Sequence, residues 1–194
     1  MFFFFGFDDF KKDAVIIKLI SEWNEKSKKP LGRTTIQKLC YFAEAVGVPL
    51  GYKFSVYQYG PYSQELYAHI DDIVSSGLVD DEYSVKKQKT DNSSYIACEK
   101  AKDLLALYSE VLSEAEDKIH FLVEYFKDMT PRKLELLSTT HYYYTANKGF
   151  YQGLDGDDLR DLTIEKVVEA KKDKFEQREI KAAYCSLIKT PQFN

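Results

Sequence analysis

The chain has 194 residues and a formal net charge of −4, with 44% apolar and 30% charged residues. This balance is that of a globular protein that can bury a sizeable core, and no apolar stretch is long enough to span a membrane. The three cysteines form no CxxC pair and there is no histidine cluster, so no metal is expected and a reducing cytoplasm is favoured.

The start of the chain, from Met1 to Phe7, is rich in Phe and superficially like a signal peptide. It lacks a basic region, its apolar run is short, and Asp8 follows at once. We therefore predict an apolar strand or arm folded against the body, the alternative being an arm that docks onto a partner or a second copy.

Two helices are predicted next. Residues 8–28 carry a broad apolar face that ends before Pro30. The second helix is expected to begin at a capping box formed by Thr34 and Gln37 and to end at Gly47.

A small β component follows. Lys53–Tyr59 alternates as a strand does, Gly60-Pro61 is expected to turn the chain, and Ser63 is expected to cap a third helix that stops at Gly77. A short strand from Leu78, a polar loop at 86–94 and a returning strand at 95–98 would then form a wing. This order resembles a winged helix, although the first strand lies between helices two and three rather than between one and two.

The rest of the chain is predicted to be helical. Residues 99–128 form a long helix, in one or two pieces, and Thr130-Pro131 begins another that reaches about Asn147. Residues 149–158 are a loop, and 163–188 are helical with a break near Asp173. The fold class is mainly α with a small β component, in a single domain, 1–194, with a winged-helix-like part (8–98) and a helical part (99–190).

The charges are unevenly distributed. Residues 61–85 contain no Lys or Arg but six acids, namely Glu65, Asp71, Asp72, Asp80, Asp81 and Glu82. Residues 1–60 carry a net charge of +3 and residues 163–194 a net charge of +2. Duplex DNA attracts Lys and Arg and repels carboxylates, so the third helix is poorly suited to enter a major groove. It is better suited to a basic protein groove, or else it is an ordinary solvated face.

No catalytic constellation is evident. The helix-surface pairs His69 with Asp72 and His120 with Glu124 are more typical of ion pairs than of metal ligands, and His141 is expected to be a satisfied buried histidine. The loop at 149–156 has neither Rossmann nor Walker spacing. The aspartates that follow it lack the glutamate of a calcium loop, because Lys166 stands at the twelfth position from Asp155. We expect no cofactor.

Two motifs carry a family resemblance. Leu31–Phe42, LGRTTIQKLCYF, resembles a G-R-T-x-[LI]-Q-K-L-x-Y-[FL] pattern, and Tyr59–Leu66, YGPYSQEL, resembles the Y-G-P-Y-[SA]-x-x-L that follows it. Together they resemble the YwgA-type proteins of bacteria and the C-terminal domain of DarG-type antitoxins, and more loosely the Panacea (SocA-like) antitoxin domain. The helix from Pro131 to Thr140 also fits the YwgA-type pattern.

The resemblance implies a small helical, winged-helix-like module that neutralises a toxin by protein contact, in the DarG type by occupying a nucleic-acid channel. The macrodomain of DarG-type antitoxins has no counterpart here, so its enzymatic activity is not implied. We therefore expect a non-enzymatic, protein-binding regulatory module whose partner is a protein, such as a toxin encoded nearby. The predicted partner-binding residues are Arg33, Lys38, Tyr57, Tyr59, Tyr62, Glu65, Asp71 and Asp72.

Two alternatives remain open. A winged-helix transcription regulator would need a basic stripe built from Lys86, Lys87 and Lys89 with help from the lysines at 26–29. An enzyme acting on a small molecule is the third reading. Arg33 and Lys38 are either solvated or in contact with other groups. Arg33 would then pair with a carboxylate of residues 61–85 or contact a partner.

Overall fold

The computed structural model describes residues 9–82 and 93–194, so the Phe-rich start and Lys86, Lys87 and Lys89 lie outside the described residues. The described part confirms a mainly α fold with a small β component. Its eight α-helices are α1 (Asp9–Lys26), α2 (Arg33–Ala45), α3 (Gln64–Ser75), α4 (Ala101–Leu107), α5 (Ser109–Phe126), α6 (Pro131–Phe150), α7 (Gly156–Lys171) and α8 (Gln177–Ile188). Its strands are β1 (Ser55–Tyr57), β2 (Gly60–Tyr62), β3 (Val79–Asp81) and β4 (Tyr95–Ala97).

The chain divides into two compact units. The first comprises Met1–Lys53 and Ser63–Met129, and the second comprises Phe54–Tyr62 and Thr130–Asn194. The hairpin β1–β2 therefore belongs to the second unit although it lies between two helices of the first in sequence. Helices α4 and α5, which the sequence analysis placed with the C-terminal helical part, belong to the first unit.

The core of the first unit is built on α1, as its apolar periodicity predicts. Ile16, Ile17 and Trp23 are at most 1% exposed, and the indole Nε1 of Trp23 donates to the carbonyl of Lys29. Phe42 of α2 and Phe126 of α5 are buried together with ring centroids 4.7 Å apart. Burial of large apolar side chains of this kind is the main favourable term in folding.

The wing is a real antiparallel pair, as predicted. Val79 lies opposite Ala97 and Asp81 opposite Tyr95. The buried Asp81 accepts a hydrogen bond from the backbone N–H of Ser94 (3.0 Å). Asn24 of α1 bonds the backbone of both ends of β4, so the wing is attached to the first helix.

The predicted capping box at the start of α2 is wrong. The helix begins at Arg33, and Gly32 in the N-cap position makes no side-chain cap. Gln37 instead faces the start of α3, where its amide donates to the Ser63 carbonyl (3.0 Å) and accepts from the Ser63 N–H (2.9 Å). The Ser63 cap is confirmed, because its hydroxyl accepts from the N–H of Leu66.

The predicted turn at Gly60-Pro61 is also wrong. Tyr57 pairs with Gly60 and Ser55 with Tyr62, so the chain turns earlier, at Gln58 and Tyr59, and Gly60 begins the returning strand. Gly60 has φ of +87°, which favours glycine. A Cβ built there would lie 2.8 Å from Oγ1 of Thr139, so the hairpin packs on α6 only because this residue has no side chain.

The second unit agrees with the sequence in outline. Thr130 caps α6 with Pro131 in its first turn, as predicted, but α6 continues to Phe150 and α7 begins at Gly156 rather than at 163. The helical segment breaks at a 3-10 turn, Lys172–Lys174, as predicted near Asp173. His141 is 3% exposed, and its Nε2 lies 3.2 Å from the Phe193 carbonyl, which confirms a buried, satisfied histidine.

Candidate functional site

Helix α3 carries one exposed acidic face. Leu66, Ile70 and Ile73 are buried on one side of the helix, and their spacing places Glu65 and Asp72 on the opposite, exposed side. The helix contains three carboxylates and no Lys or Arg. We call Glu65, Asp71 and Asp72 the acidic face of the first unit.

Arg33 is engaged at the border of this face, as one of the open alternatives predicts. Its guanidinium donates to Oδ1 of Asp71 (3.0 Å) and to Oγ of Ser93 (2.9 Å). The same group lies over the ring of Tyr67, 4.5 Å from the centroid. Arg33 therefore neutralises Asp71, and the exposed charge of the face comes from Asp72 and from Glu65, whose side chain is 61% exposed although its Oε1 lies 4.0 Å from Nζ of Lys12.

Lys38 does not reach the surface. It lies on the inner side of α2 with 1% of its area exposed, because the burial of that helix extends over nine consecutive residues. Sequence reasoning treats a lysine in an amphipathic helix as solvated, and here it is packed inside. Lys38 is therefore not part of the exposed surface.

A polar network around His69 connects α3 to α1, and no local sequence pattern indicates it. Nε2 of His69 is 2.6 Å from Oδ1 of Asp13 rather than beside Asp72 as predicted, and Nδ1 of His69 contacts the hydroxyl of Tyr52. Tyr52 is 6% exposed, and burial raises the pKa of its phenol. The contacts of His69 with Asp13 and Tyr52 connect α3 to α1 and to the segment that follows α2.

The hairpin of the second unit presents the tyrosines. Tyr57 is 63% exposed and Tyr59 is 53% exposed, whereas Gly60 and Pro61 of β2 are buried. The ring of Tyr57 lies 5.5 Å from that of the half-buried Tyr62. We call Tyr57, Tyr59 and Tyr62 the tyrosine hairpin.

A buried charge cluster anchors this hairpin, and no local sequence pattern indicates it. Nζ of Lys171 donates to the Gln58 carbonyl at the turn and to Oε1 of Glu135, both at 2.9 Å. Lys174 donates to both oxygens of Glu135 and lies over the Tyr59 ring, 4.7 Å from its centroid. Burial lowers the pKa of Lys171, and the carboxylate of Glu135 compensates for that burial.

The predicted partner-binding residues thus fall into two groups. Arg33, Lys38 and the acidic face belong to the first unit, and the tyrosine hairpin belongs to the second. Within residues 9–82 and 93–194, no group of three or more His, Cys, Asp or Glu side chains could hold a metal ion. Across the same ranges, every helix is too short or too polar to cross a membrane.

Comparison with known proteins adds one relative. No family model matches the chain. Over 136 aligned residues the chain is 28% identical to the uncharacterized protein YwgA of Bacillus subtilis (strain 168), and the alignment covers 69% of this chain and 75% of YwgA. The comparison therefore supports a YwgA-like relationship for this chain.

Proposed function

We propose that the protein is a non-enzymatic binding module of the antitoxin type, which neutralises a protein partner by occupying a basic groove. The observation that carries this proposal is the exposed side of α3, where Glu65 and Asp72 are accompanied by no cation of the same helix. Carboxylates spaced along a helix are complementary to a groove that otherwise holds phosphates. The three free cysteines suit a reducing cytoplasm as the place of action.

The tyrosine hairpin supports the same proposal from the second unit. Tyr57 and Tyr59 are large amphipathic side chains that lose little conformational entropy on binding, and residues of this kind are enriched where proteins recognise each other. The buried charge cluster of Glu135 and Lys171 fixes the position of the turn in the free protein. Such pre-organisation lowers the entropy that association must overcome.

A winged-helix regulator of transcription is the second candidate. The order of α1, α2, α3 and the pair β3–β4 in the first unit favours it. Its third helix, however, carries the acidic face, and Lys26 is already bridged to Glu22 and Glu124. The DNA-binding surface would then depend on the lysines at 86–89, which lie outside the described residues.

A titration with two ligands tests the proposal. The purified chain is titrated with the protein encoded by the neighbouring gene, and separately with a random-sequence DNA duplex at roughly 50 and 200 mM salt. We expect a complex with the protein and no DNA binding at either salt concentration. DNA binding that weakens steeply with salt, without protein binding, would favour the regulator instead.

A charge reversal identifies the surface. Glu65→Lys combined with Asp72→Lys should weaken the protein complex by at least about tenfold, or about 1.4 kcal/mol. The matched control is Glu110→Lys with Glu114→Lys, which reverses two exposed acids of α5 and changes the net charge equally. Equal weakening by both pairs would show that only net charge matters and would remove the acidic face from the proposal.

A further inference from the structure

The backbone of Val56 in β1 points away from the hairpin. In an antiparallel pair of strands, opposite residues exchange both backbone hydrogen bonds at every second position, and the residues between them direct their N–H and C=O outward. Val56 lies opposite Pro61, and this pair cannot exchange both bonds because proline has no N–H. The exchange therefore occurs at the two flanking pairs, and the N–H and C=O of Val56 face the outer edge of β1.

This outer edge is open. Among the described residues, β1 pairs with β2 and with no further strand, and none donates a hydrogen bond to the backbone of Val56 or accepts one from it. Ser55 and Tyr57, on either side of Val56, are exposed. An exposed strand edge is a template for another strand. The outer edge of β2 differs, because Pro61 has no N–H to donate there.

The sequence of β1 is complementary to itself. Residues 54–62 contain no Asp, Glu, Lys or Arg, so the edge lacks the charges with which proteins commonly prevent strand pairing. Two antiparallel copies of β1 with Val56 opposite Val56 exchange both hydrogen bonds around a two-fold axis. In this register Tyr57 of each copy lies opposite Ser55 of the other, so a large side chain meets a small one.

We propose that β1 pairs with β1 of a second copy and forms a dimer with a four-stranded antiparallel sheet. Tyr57, which is 63% exposed, is then covered beside Ser55 of the other copy. Its ring already lies 5.5 Å from that of Tyr62, so the tyrosines of both copies share one face of the sheet, and cross-strand pairs of this kind stabilise sheets. Because Pro61 leaves the outer edge of β2 without a donor, pairing ends at two copies.

The dimer goes beyond the proposed function. It requires only a second copy of the chain and does not involve the acidic face. Since it covers Tyr57, self-pairing limits the access of another protein to the tyrosine hairpin. Experiments on the pure chain test it, so their outcome does not depend on whether the proposed protein partner binds.

Sedimentation velocity of the full chain over a range of concentrations is the first test. We expect a reversible equilibrium between monomer and dimer. Val56→Pro should raise the Kd of the dimer at least about tenfold, because it removes the outward N–H, which the pairing of β1 with β2 does not use. The matched control Val56→Thr keeps the N–H and the branched shape, and it should change the Kd by less than about twofold. Circular dichroism checks that both variants are folded.

Disulfide trapping tests the register without a change at Val56. In a background with Cys98→Ser and Cys185→Ser, a chain with Ser55→Cys is mixed with a chain with Tyr57→Cys and mildly oxidised. The proposed register places these positions directly opposite, in a pair without hydrogen bonds whose Cα atoms are about 4.5 Å apart, close enough for a disulfide. The Ser55→Cys chain alone should cross-link far less, because identical positions are offset by about 7 Å along the strand.

Three results would each overturn the proposal. The first is a chain that stays monomeric at every concentration. The second is a dimer that a folded Val56→Pro variant retains with an unchanged Kd. The third is equal cross-linking of the mixed and the unmixed cysteine chains, and this result decides the matter if Val56→Pro does not fold.

Discussion

Gly60 is the residue on which the attachment of the hairpin depends most directly. Its φ of +87° is unfavourable for any residue with a Cβ, and the added carbon would lie 2.8 Å from Oγ1 of Thr139 and 3.3 Å from the Glu135 carbonyl. Backbone atoms of α6 cannot move aside as a flexible side chain would. The close packing of the hairpin on α6 therefore explains the glycine of the Y-G-P-Y motif.

Gly60→Ala should lower the free energy of unfolding by roughly 2–4 kcal/mol, because it adds a steric clash to the conformational strain. Gly153→Ala is the matched control, since Gly153 has a φ of +85° and no atom within 4 Å of the added carbon. The control should lose only about 1 kcal/mol. Urea denaturation of both variants checks the difference, and equal losses would mean that α6 accommodates the methyl group.

His141 makes stability depend on pH. Burial lowers the pKa of His141 to about 4, although its hydrogen bond with the Phe193 carbonyl acts in the opposite direction. The unfolded chain then binds a proton that the folded chain does not between about pH 6.5 and 4. Stability should therefore rise with pH in this window and be lost as pH falls through it.

We expect the free energy of unfolding to fall by roughly 2 kcal/mol between pH 7 and pH 5 because of this one group. His141→Gln should remove that part of the pH dependence. His120→Gln, at a side chain that is 56% exposed, should leave it in place. Urea titrations at the two pH values measure the difference, and an unchanged slope in His141→Gln would exclude the histidine as its source.

At the scale of the elements, Gln37 joins α2 to the start of α3. It is 3% exposed and pairs with both backbone groups of Ser63. The Ser63 carbonyl also accepts from the N–H of Tyr67, whereas the N–H of Ser63 donates to the side chain of Gln37. The glutamine therefore satisfies a buried donor that the helix ladder does not reach.

Gln37→Leu should lower the free energy of unfolding by roughly 2–3 kcal/mol. Leucine has a volume similar to that of glutamine, but it leaves the buried N–H of Ser63 without a partner. The exposed Gln177→Leu should change stability by less than about 0.5 kcal/mol. Thermal and urea unfolding of the two variants test this. A loss as small in Gln37→Leu as in the control would mean that another group replaces the amide.

The helices could be predicted from the sequence because their signals are local. Apolar periodicity predicts 8–28 for α1, observed as Asp9–Lys26, and Ser63 and Thr130 cap the predicted helices. The capping box at Thr34 and Gln37 fails for the complementary reason. Gln37 has the right spacing for a local cap but pairs with Ser63, 26 residues further along the chain, and spacing alone cannot distinguish the two.

The candidate site was predictable only in part. The pairing of Arg33 with an acid of 61–85 is one of the alternatives that the charge pattern leaves open, and Asp71 is that acid. The contact between Lys171 and Glu135 joins residues 36 apart on different helices, and the burial of Lys38 depends on what packs over α2. Both are properties of the folded chain for which neither composition nor periodicity carries a signal.

At the scale of the whole molecule, the second unit is discontinuous in sequence. Its hairpin comes from residues 54–62 and its helices from 130–194. The hairpin contributes the Gln58 carbonyl and the buried Gly60, and the helices contribute Lys171, Glu135 and Thr139. The Gln58 carbonyl meets Nζ of Lys171 only when both segments are present, so this unit can be completed only after most of the chain has been synthesised.

This discontinuity predicts that two fragments complement each other. Co-expressed as separate chains, fragments 1–129 and 130–194 should co-purify, because the hairpin carried by the first supplies the acceptor for Lys171 and the strand that packs on α6. Gly60→Val in fragment 1–129 should abolish or strongly weaken the complex, since a branched side chain meets Thr139 and the Glu135 carbonyl. Gly77→Val, also at a positive φ but with no atom near the added carbon, is the control and should still co-purify. Retention of the complex by the Gly60→Val fragment would show that the hairpin is dispensable for holding the second unit together.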